Sequence, residues 1–264
     1  MVTVLEAASN PFQGIVPKPT ALPTHPETFR QQLQHSLQIW KAEGYLVVWL
    51  EVPITRAALV PIAVEAGFTF HHTGEDYLMM TQRLVADAFI PPYATHYVGA
   101  GGVVVNDAGD LLVVSEKYRS QRGPSYKLPG GALHPGEHLV DGVIREVREE
   151  TGVQACFESL ACFRHWHGYR YGKSDLYFVC RLKPLSQEIA IQAEEIAECR
   201  WMPVERFLHD TGVHSFNKAI VQAALASPGL ALSQIDGFHN DGTREFFMPN
   251  HQELFGVAKP PKTC

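Results

Sequence analysis

Residues 131–153 read GALHPGEHLVDGVIREVREETGV, and the rest of the chain is best read outward from this stretch. Its second half has helical spacing. Leu139, Val143 and Val147, with Val140 and Ile144 beside them, recur every three or four residues and make an apolar stripe. Glu146, Glu149 and Glu150 stand at i, i+3 and i+4, so they share a face of that helix. Gly152 ends it. The loop leading in is rich in Gly and Pro and carries one more carboxylate, Glu137. Carboxylates crowded on one face repel one another, and those in the last turn also meet the negative end of the helix dipole. A divalent cation relieves both. Mg²⁺ favours hard oxygen ligands, keeps positions for water and phosphate oxygens, and can activate a water beside a phosphoryl group. The competing reading is a solvated helix in which Arg145 and Arg148 pair with Glu149 and Glu150, as on many surface helices.

The whole segment separates the two readings. It is similar, position for position, to the signature of the Nudix hydrolases: Gly131, five residues, Glu137, seven residues, then Arg145, Glu146, Val147, Glu149, Glu150, Gly152 and Val153. The resemblance implies an α/β (α+β) fold, a Nudix α/β/α sandwich with a mixed sheet. It implies that Glu146, Glu149 and Glu150 bind Mg²⁺ or Mn²⁺. It implies that Arg145 orients the carboxylates, pairing with Glu137, and that Gly130 and Gly131 let the backbone approach metal and phosphates. The general base it implies is either Glu146 or a glutamate on a later loop, for which Glu195 is the candidate and Glu194 and Glu198 compete. The implied reaction is metal-dependent hydrolysis of a phosphoanhydride in a nucleoside diphosphate linked to another group.

The likeness extends further. The runs VVWLEVP, GFTFHH, YLMM, LPGG, GKSDLYFVCRLKPLS and RWMP resemble two-domain plant-type Nudix hydrolases over roughly residues 28–228. That resemblance implies ADP-ribose or NADH as substrate and AMP as product. The proline-rich downstream motif of NADH pyrophosphatases and the upstream motif of the coenzyme A subfamily are absent. A rival class is a regulator that binds a nucleotide metabolite without cutting it. Such proteins lose carboxylates of the signature, whereas all of them stand here.

Around the signature the chain divides into four stretches. Residues 1–27, proline-rich, read as an extended arm. Residues 28–92 read as a small α/β unit before the Nudix domain. A helix carries Phe29, Leu33, Leu37 and Trp40, then come the strand YLVVWLEVP, a helix from Thr55 to Gly67 containing Pro61, and the strands FTFHH and YLMMTQRL. That order resembles half of an acetyltransferase-like fold, without its coenzyme A loop. Residues 93–228 read as the Nudix domain. Residues 229–264, with one apolar patch (REFFMP), carry no assignment.

Other candidates follow from their surroundings. Arg164 and Lys173 bracket a cationic, aromatic run (Arg164 to Lys173) placed to bind a second phosphate or stack on a ring. Tyr126 is a candidate to stack on a base, or a core tyrosine. His71 and His72 are expected on opposite strand faces by alternation, which argues against a two-histidine site. Composition bounds the rest. Of 264 residues, 45% are hydrophobic and 19% charged, with a formal charge of −6, so the chain is globular and a nucleic-acid partner is a poor default. Five cysteines without CxxC spacing argue against a disulfide framework or a zinc site. No signal peptide or spanning segment stands out, so the expectation is a cytoplasmic protein with a small-molecule nucleotide partner, no nucleic acid and no membrane. A homodimer through the N-terminal unit is also expected.

Overall fold

The computed structural model describes residues 2–117, 125–235, 237 and 242–249. The chain forms two compact units, residues 1–95 and 96–264. In the first, the helical apolar spacing becomes α1 (Pro26–Ala42), which buries Phe29, Leu33 and Trp40. The β-branched run VVWLEVP becomes β3 (Val47–Pro53), the middle strand of five. Alternation divides its side chains: Val48, Leu50 and Val52 pack with the α1 residues, while Val47 and Trp49 join Ala88 on the other side.

Residues 1–27 are not a separate arm. Ala7–Ser9 (β1) and Gly14–Pro17 (β2) pair antiparallel and extend the sheet beyond β3, and Leu5, Ile15 and Leu22 enter its core. The prolines bend the path without keeping it off the sheet. The helix expected over Thr55–Gly67 divides at Pro61, which sits in the first turn of α2 (Val60–Glu65) behind a 3-10 turn over Ile54–Leu59. The sheet closes with β4 (Thr69–Thr73) and β5 (Tyr77–Arg83), giving the order β1-β2-β3-β5-β4.

A bulge in β4 overturns the expectation for the paired histidines. The β4–β5 register shifts between Phe70 and His72, so His71 is an extra residue and the two rings lie on the same side. Their Nδ1 atoms are 2.7 Å apart. His71 Nε2 lies 2.8 Å from the Pro91 carbonyl, which can only accept, so that nitrogen carries the proton. His71 Nδ1 is then the acceptor, His72 Nδ1 the donor, and His72 Nε2 accepts from the Tyr77 hydroxyl at 3.1 Å. The chain of bonds ties the segment after β5 back to β4.

The second unit holds a mixed sheet in the order β8-β6-β10-β9. It is made of β8 (Gly130–Ala132), β6 (His96–Val104), β10 (Ser174–Pro184) and β9 (Ala155–Trp166), with β6 and β10 parallel and the other pairs antiparallel. A further antiparallel pair joins β7 (Asp110–Glu116) to β11 (Ile196–Pro203). Ala100, Val104, Cys180 and Leu182 face the signature helix α3 (Leu139–Thr151), meeting Val143 and Val147. Val103 and Val179 face the other way, toward Phe207 of α4 (Val204–His209) and Ile220 and Val221 of α5 (Ser215–Ala226). This is the expected α/β/α sandwich. Beyond α5, β12 (Ala231–Ser233) pairs with β13 (Phe246–Met248), so the apolar patch of the unassigned stretch packs Phe247 against the α3 side of the core. The rest of that stretch, from residue 250, lies outside the described residues.

Cys162, Cys180 and Cys199 are free. Among the described residues, no helix is long and apolar enough to cross a membrane.

Candidate active site

The signature helix ends as its sequence requires. Gly152 adopts φ +75° and its N–H donates to the Arg148 carbonyl at 2.8 Å. The apolar stripe of α3 continues one step further than apolar residues do. Glu150 lies three residues after Val147, and its side chain is only 8% exposed. Burial pushes the Glu150 carboxyl up, opposed by Lys127 and by the Gly130 N–H, which donates to Oε2 at 2.9 Å.

Arg145 joins the other carboxylates. It grips Glu137 with two bonds, Nε to Oε1 at 2.6 Å and Nη2 to Oε2 at 2.9 Å. Its Nη1 donates to Glu146 at 2.9 Å and to Glu149 at 3.0 Å. The guanidinium fork suits this role because one planar group can serve several carboxylates at once. The Arg145 bonds hold the Glu137 carboxyl down at about 2, assisted by the His134 N–H. These bonds tie Glu137 of the entry loop to α3.

On the opposite wall, Lys127 reaches Glu116 at 2.6 Å and Glu150 at 3.6 Å. Neither Lys127 nor Glu116 was a sequence candidate. Among the described residues, two cations, Arg145 and Lys127, pair with the carboxylates Glu116, Glu137, Glu146, Glu149 and Glu150. No three side chains among the described residues form a ready-made chelate, since Arg145 and Lys127 hold the carboxylate oxygens. The donor set still suits a hard divalent ion: it is all oxygen and anionic. Glycine keeps it open. A Cβ on Gly131 would stand 2.7 Å from both oxygens of Glu146, and one on Gly130, at φ +151°, would stand 2.3 Å from the Ala100 carbonyl.

Beside this group opens a cleft of about 1060 Å³, large enough for a dinucleotide-sized ligand; of the carboxylates, Glu116 lines it. Gly130, Gly131, Glu116 and Lys127 line one end of it. Trp166, Tyr169, Arg170 and Tyr171 line another part, opposite His214, Phe216 and Asn217 from the start of α5. Arg164 lies in the cleft wall but its charge is committed. It ion-pairs with the buried Asp175, and its guanidinium carbon sits 5.2, 5.5 and 5.0 Å from the rings of Trp166, Tyr177 and Phe216. It organises the aromatic rings of the cleft wall.

Four sequence candidates stand elsewhere. Lys173 does not line the cleft; its ammonium lies 5.9 Å from the Tyr97 ring. Tyr126 is 4% exposed, so it cannot stack on a base. Its hydroxyl donates to Glu198 at 2.8 Å and Arg200 covers its ring at 4.4 Å, which makes it the core tyrosine of the two readings. Glu198, a competitor for general base, is held beside Tyr126 and Arg200. Glu195 is exposed just before β11, outside the group that Arg145 gathers; its carbonyl accepts from the Lys117 N–H. The residues missed by sequence reasoning, Glu116, Lys127 and Phe216, come from separate elements, and only the position of Lys127 directly before LPGG gave any local signal.

Comparison with known proteins agrees with this geometry. A family profile for the Nudix hydrolase domain matches residues 5–84, and one for the NUDIX domain matches residues 95–223. Nudix hydrolase 8 of Arabidopsis thaliana is 39% identical over 212 residues, covering 78% of this chain and 57% of that protein. Nudix hydrolase 2 of the same plant is 39% identical over 216 residues, covering 81% of this chain and 77% of that protein. The human protein called nucleoside diphosphate-linked moiety X motif 6 is 38% identical over 178 residues, 66% of this chain and 56% of its own. The chain thus spans little more than half the length of two of these relatives, and its match to the third takes in both units: it belongs to the Nudix hydrolase family.

Proposed function

We propose that the chain hydrolyses a phosphoanhydride bond in a nucleoside diphosphate linked to another group, with ADP-ribose or NADH as substrate and AMP as a product. The observation that carries the reading is that the charge-rich carboxylate face and the nucleotide-sized cleft share one wall, Gly130 and Gly131. The printed name of the human relative, with its nucleoside diphosphate linked to a moiety X, supports the substrate class.

In this reading Glu146, Glu149 and Glu150 hold Mg²⁺ or Mn²⁺. The bound ion supplies charge neutralisation at the phosphate oxygens and a more acidic water. The protein does the rest. Arg145 and Glu137 fix the carboxylates in place. Glu146 Oε2, the oxygen that Arg145 leaves free, accepts the proton of the attacking water; its place beside Gly131 favours it over the exposed Glu195. Trp166, Tyr169 and Phe216 stack on the base or on the nicotinamide ring. The expected homodimer belongs to the same reading, supported by the edge strand β4 with its exposed Phe70.

The test is a panel of ADP-ribose, NADH, NAD⁺, coenzyme A, dinucleoside polyphosphates and nucleoside triphosphates incubated with protein and Mg²⁺, with products separated by chromatography. The expected result is AMP from ADP-ribose or NADH. Glu149→Gln should lower turnover by on the order of a hundredfold or more with the fold intact. A near-wild-type rate in that variant would sink the assignment. Tight nucleotide binding with no Mg²⁺-dependent product would replace hydrolysis by the regulatory reading.

A further inference from the structure

Lys127 is the least expected member of the charged group. Its backbone is fixed, exchanging N–H···O bonds with Val114 of β7 at 2.9 and 3.0 Å, so its side chain starts from a rigid place on the cleft wall. Its ammonium lies 2.6 Å from Glu116 and 3.6 Å from Glu150. Of the signature glutamates, Glu150 is the one Arg145 does not reach; Arg145 bonds to Glu146 and Glu149 instead. The two oxygens of Glu150 have different partners. Oε2 takes the Gly130 N–H, while Oε1 has the Lys127 ammonium in front of it. A carboxylate shielded to this degree needs a countercharge, and Lys127 is what stands there.

We propose that Lys127 is a resident counter-ion that occupies the metal-binding side of Glu150 and competes with the divalent ion for it. Glu116 is the second half of the device. It holds the ammonium more closely than Glu150 does, so Lys127 has a partner to retreat to when Glu150 Oε1 is taken. Lys127 and Glu116 are therefore positioning residues, acting through Glu150. The inference rests on the proposed metal role of the signature glutamates. It adds that this site, when it binds a divalent ion, does so against a cation of its own, which keeps Glu150 folded into place without metal and weakens metal affinity in return.

The test measures Mn²⁺ binding to the full chain without nucleotide, by titration calorimetry and by the free-ion electron paramagnetic resonance signal. Lys127→Met removes the competitor. Losing one partly shielded ion pair corresponds to a change of about fivefold, so this variant should bind Mn²⁺ about fivefold more tightly than wild type. Lys127→Arg keeps the charge and should bind within about twofold of wild type. Lys117→Met is the control for long-range charge. Lys117 is next to Glu116 in sequence, but its ammonium is turned to the Ala193 carbonyl, so the variant should leave Mn²⁺ affinity within about twofold. Thermal melts provide a second readout. Lys127→Met should melt below wild type in EDTA and gain more from added Mn²⁺ than wild type does, because its Glu150 is bare until the ion arrives. Unchanged or weaker Mn²⁺ binding in Lys127→Met overturns the proposal while the metal role of the site survives. Tightening by Lys117→Met to the same degree also overturns it, in favour of a diffuse charge effect. A wild-type chain that binds no Mn²⁺ overturns both this inference and the metal reading beneath it.

Discussion

Replacing Arg145 by Met keeps the stem of the side chain and removes the guanidinium. The bonds lost are the pair to Glu137 at 2.6 and 2.9 Å, one to Glu146 at 2.9 Å, one to Glu149 at 3.0 Å and one to the Ala132 carbonyl at 3.2 Å. Arg145, Glu137 and Glu146 have side chains 17%, 14% and 16% exposed, so their charges are largely shielded; Glu149, at 46%, adds little. Removing one partner of a buried pair costs about 3–5 kcal/mol, and this group borders an open cleft, so the lower end applies, about 3 kcal/mol. For a domain of this size that corresponds to a fall in Tm of about 6–12 °C in EDTA. Glu137→Gln is milder, about 1–2 kcal/mol, since Arg145 keeps Glu146 and Glu149. The double variant should lose less than the two losses added, by about 1 kcal/mol or more, since the two side chains share bonds. The pH dependence has a definite sign. The Glu137 carboxyl is held at about 2, below its ordinary 4.5, so the pair's contribution is complete above 4.5 and fades as pH falls toward 2. The gap between wild type and Arg145→Met should accordingly stay constant from pH 7 to 4.5 and narrow as pH falls from 4.5 toward 2. Scanning fluorimetry in EDTA across that range reads all of this. A Tm loss below about 2 °C, or strictly additive effects in the double variant, would refute the idea that Arg145 and Glu137 form the structural lock of the site.

Two further outcomes follow from bonds outside the carboxylate group. The Glu245 carboxylate, far along the chain, accepts from the Leu139 and Val140 N–H groups at 2.7 and 3.3 Å, supplying the N-cap that the side chain of His138 does not give α3. Glu245→Ala should cost about 1 kcal/mol and speed amide hydrogen exchange at the start of α3; unchanged exchange at residues 139–142 would remove the cap from the account. In the first unit, burial and then the neighbouring His71 hold the His72 pKa below its usual value, so the neutral form is favoured in the fold. That contribution is complete above about 6.5 and is lost as pH falls below it. Melting of the wild type should drop between pH 7.5 and 5.5, and His72→Phe, which retains a ring over Tyr93, should flatten that dependence; equal slopes would refute the tautomer chain drawn for the two histidines.

What the sequence made legible was local. The signature helix could be read because its spacing alone puts Val143 and Val147 on one stripe and Glu146, Glu149 and Glu150 on another. The burial of Glu150 was within reach of the same geometry, three residues after Val147, had its charge not suggested solvent. The Arg145–Glu137 lock came with the family likeness. Features that depend on distant parts of the chain were not legible. Tyr126 looked like a ligand-stacking ring because it precedes LPGG, but its partners Glu198 and Arg200 lie some seventy residues away and turn it inward. Arg164 looked like a phosphate binder because the rings and the carboxylate that claim it are brought in by β10 and α5. The arm expected over residues 1–27 hid two strands too short to alternate visibly. One residue of bulge was enough to move His71 and His72 from opposite faces to the same one.

The ends of α3 explain why its carboxylates are informative. A helix is stabilised by negative charge at its N-terminus and by positive charge at its C-terminus. At the first end α3 complies, taking Glu245 against its opening N–H groups. At the other it does the reverse, placing Glu149 and Glu150 in the last turn and burying the second of them. Stability alone does not account for that choice, because an apolar residue at 150 would continue the stripe of Val143 and Val147 without needing Lys127 or the Gly130 N–H. The adverse charge lies beside Gly130 and Gly131, which line the cleft, and among the described residues Arg145 and Lys127 temper it. A fold that caps one end of a helix well and gathers carboxylates, one of them buried, at the other is arranged to receive positive charge there. That is the physical content of the proposed metal site, and it is why the response of Lys127 variants to Mn²⁺ bears on it more directly than a loss of activity would.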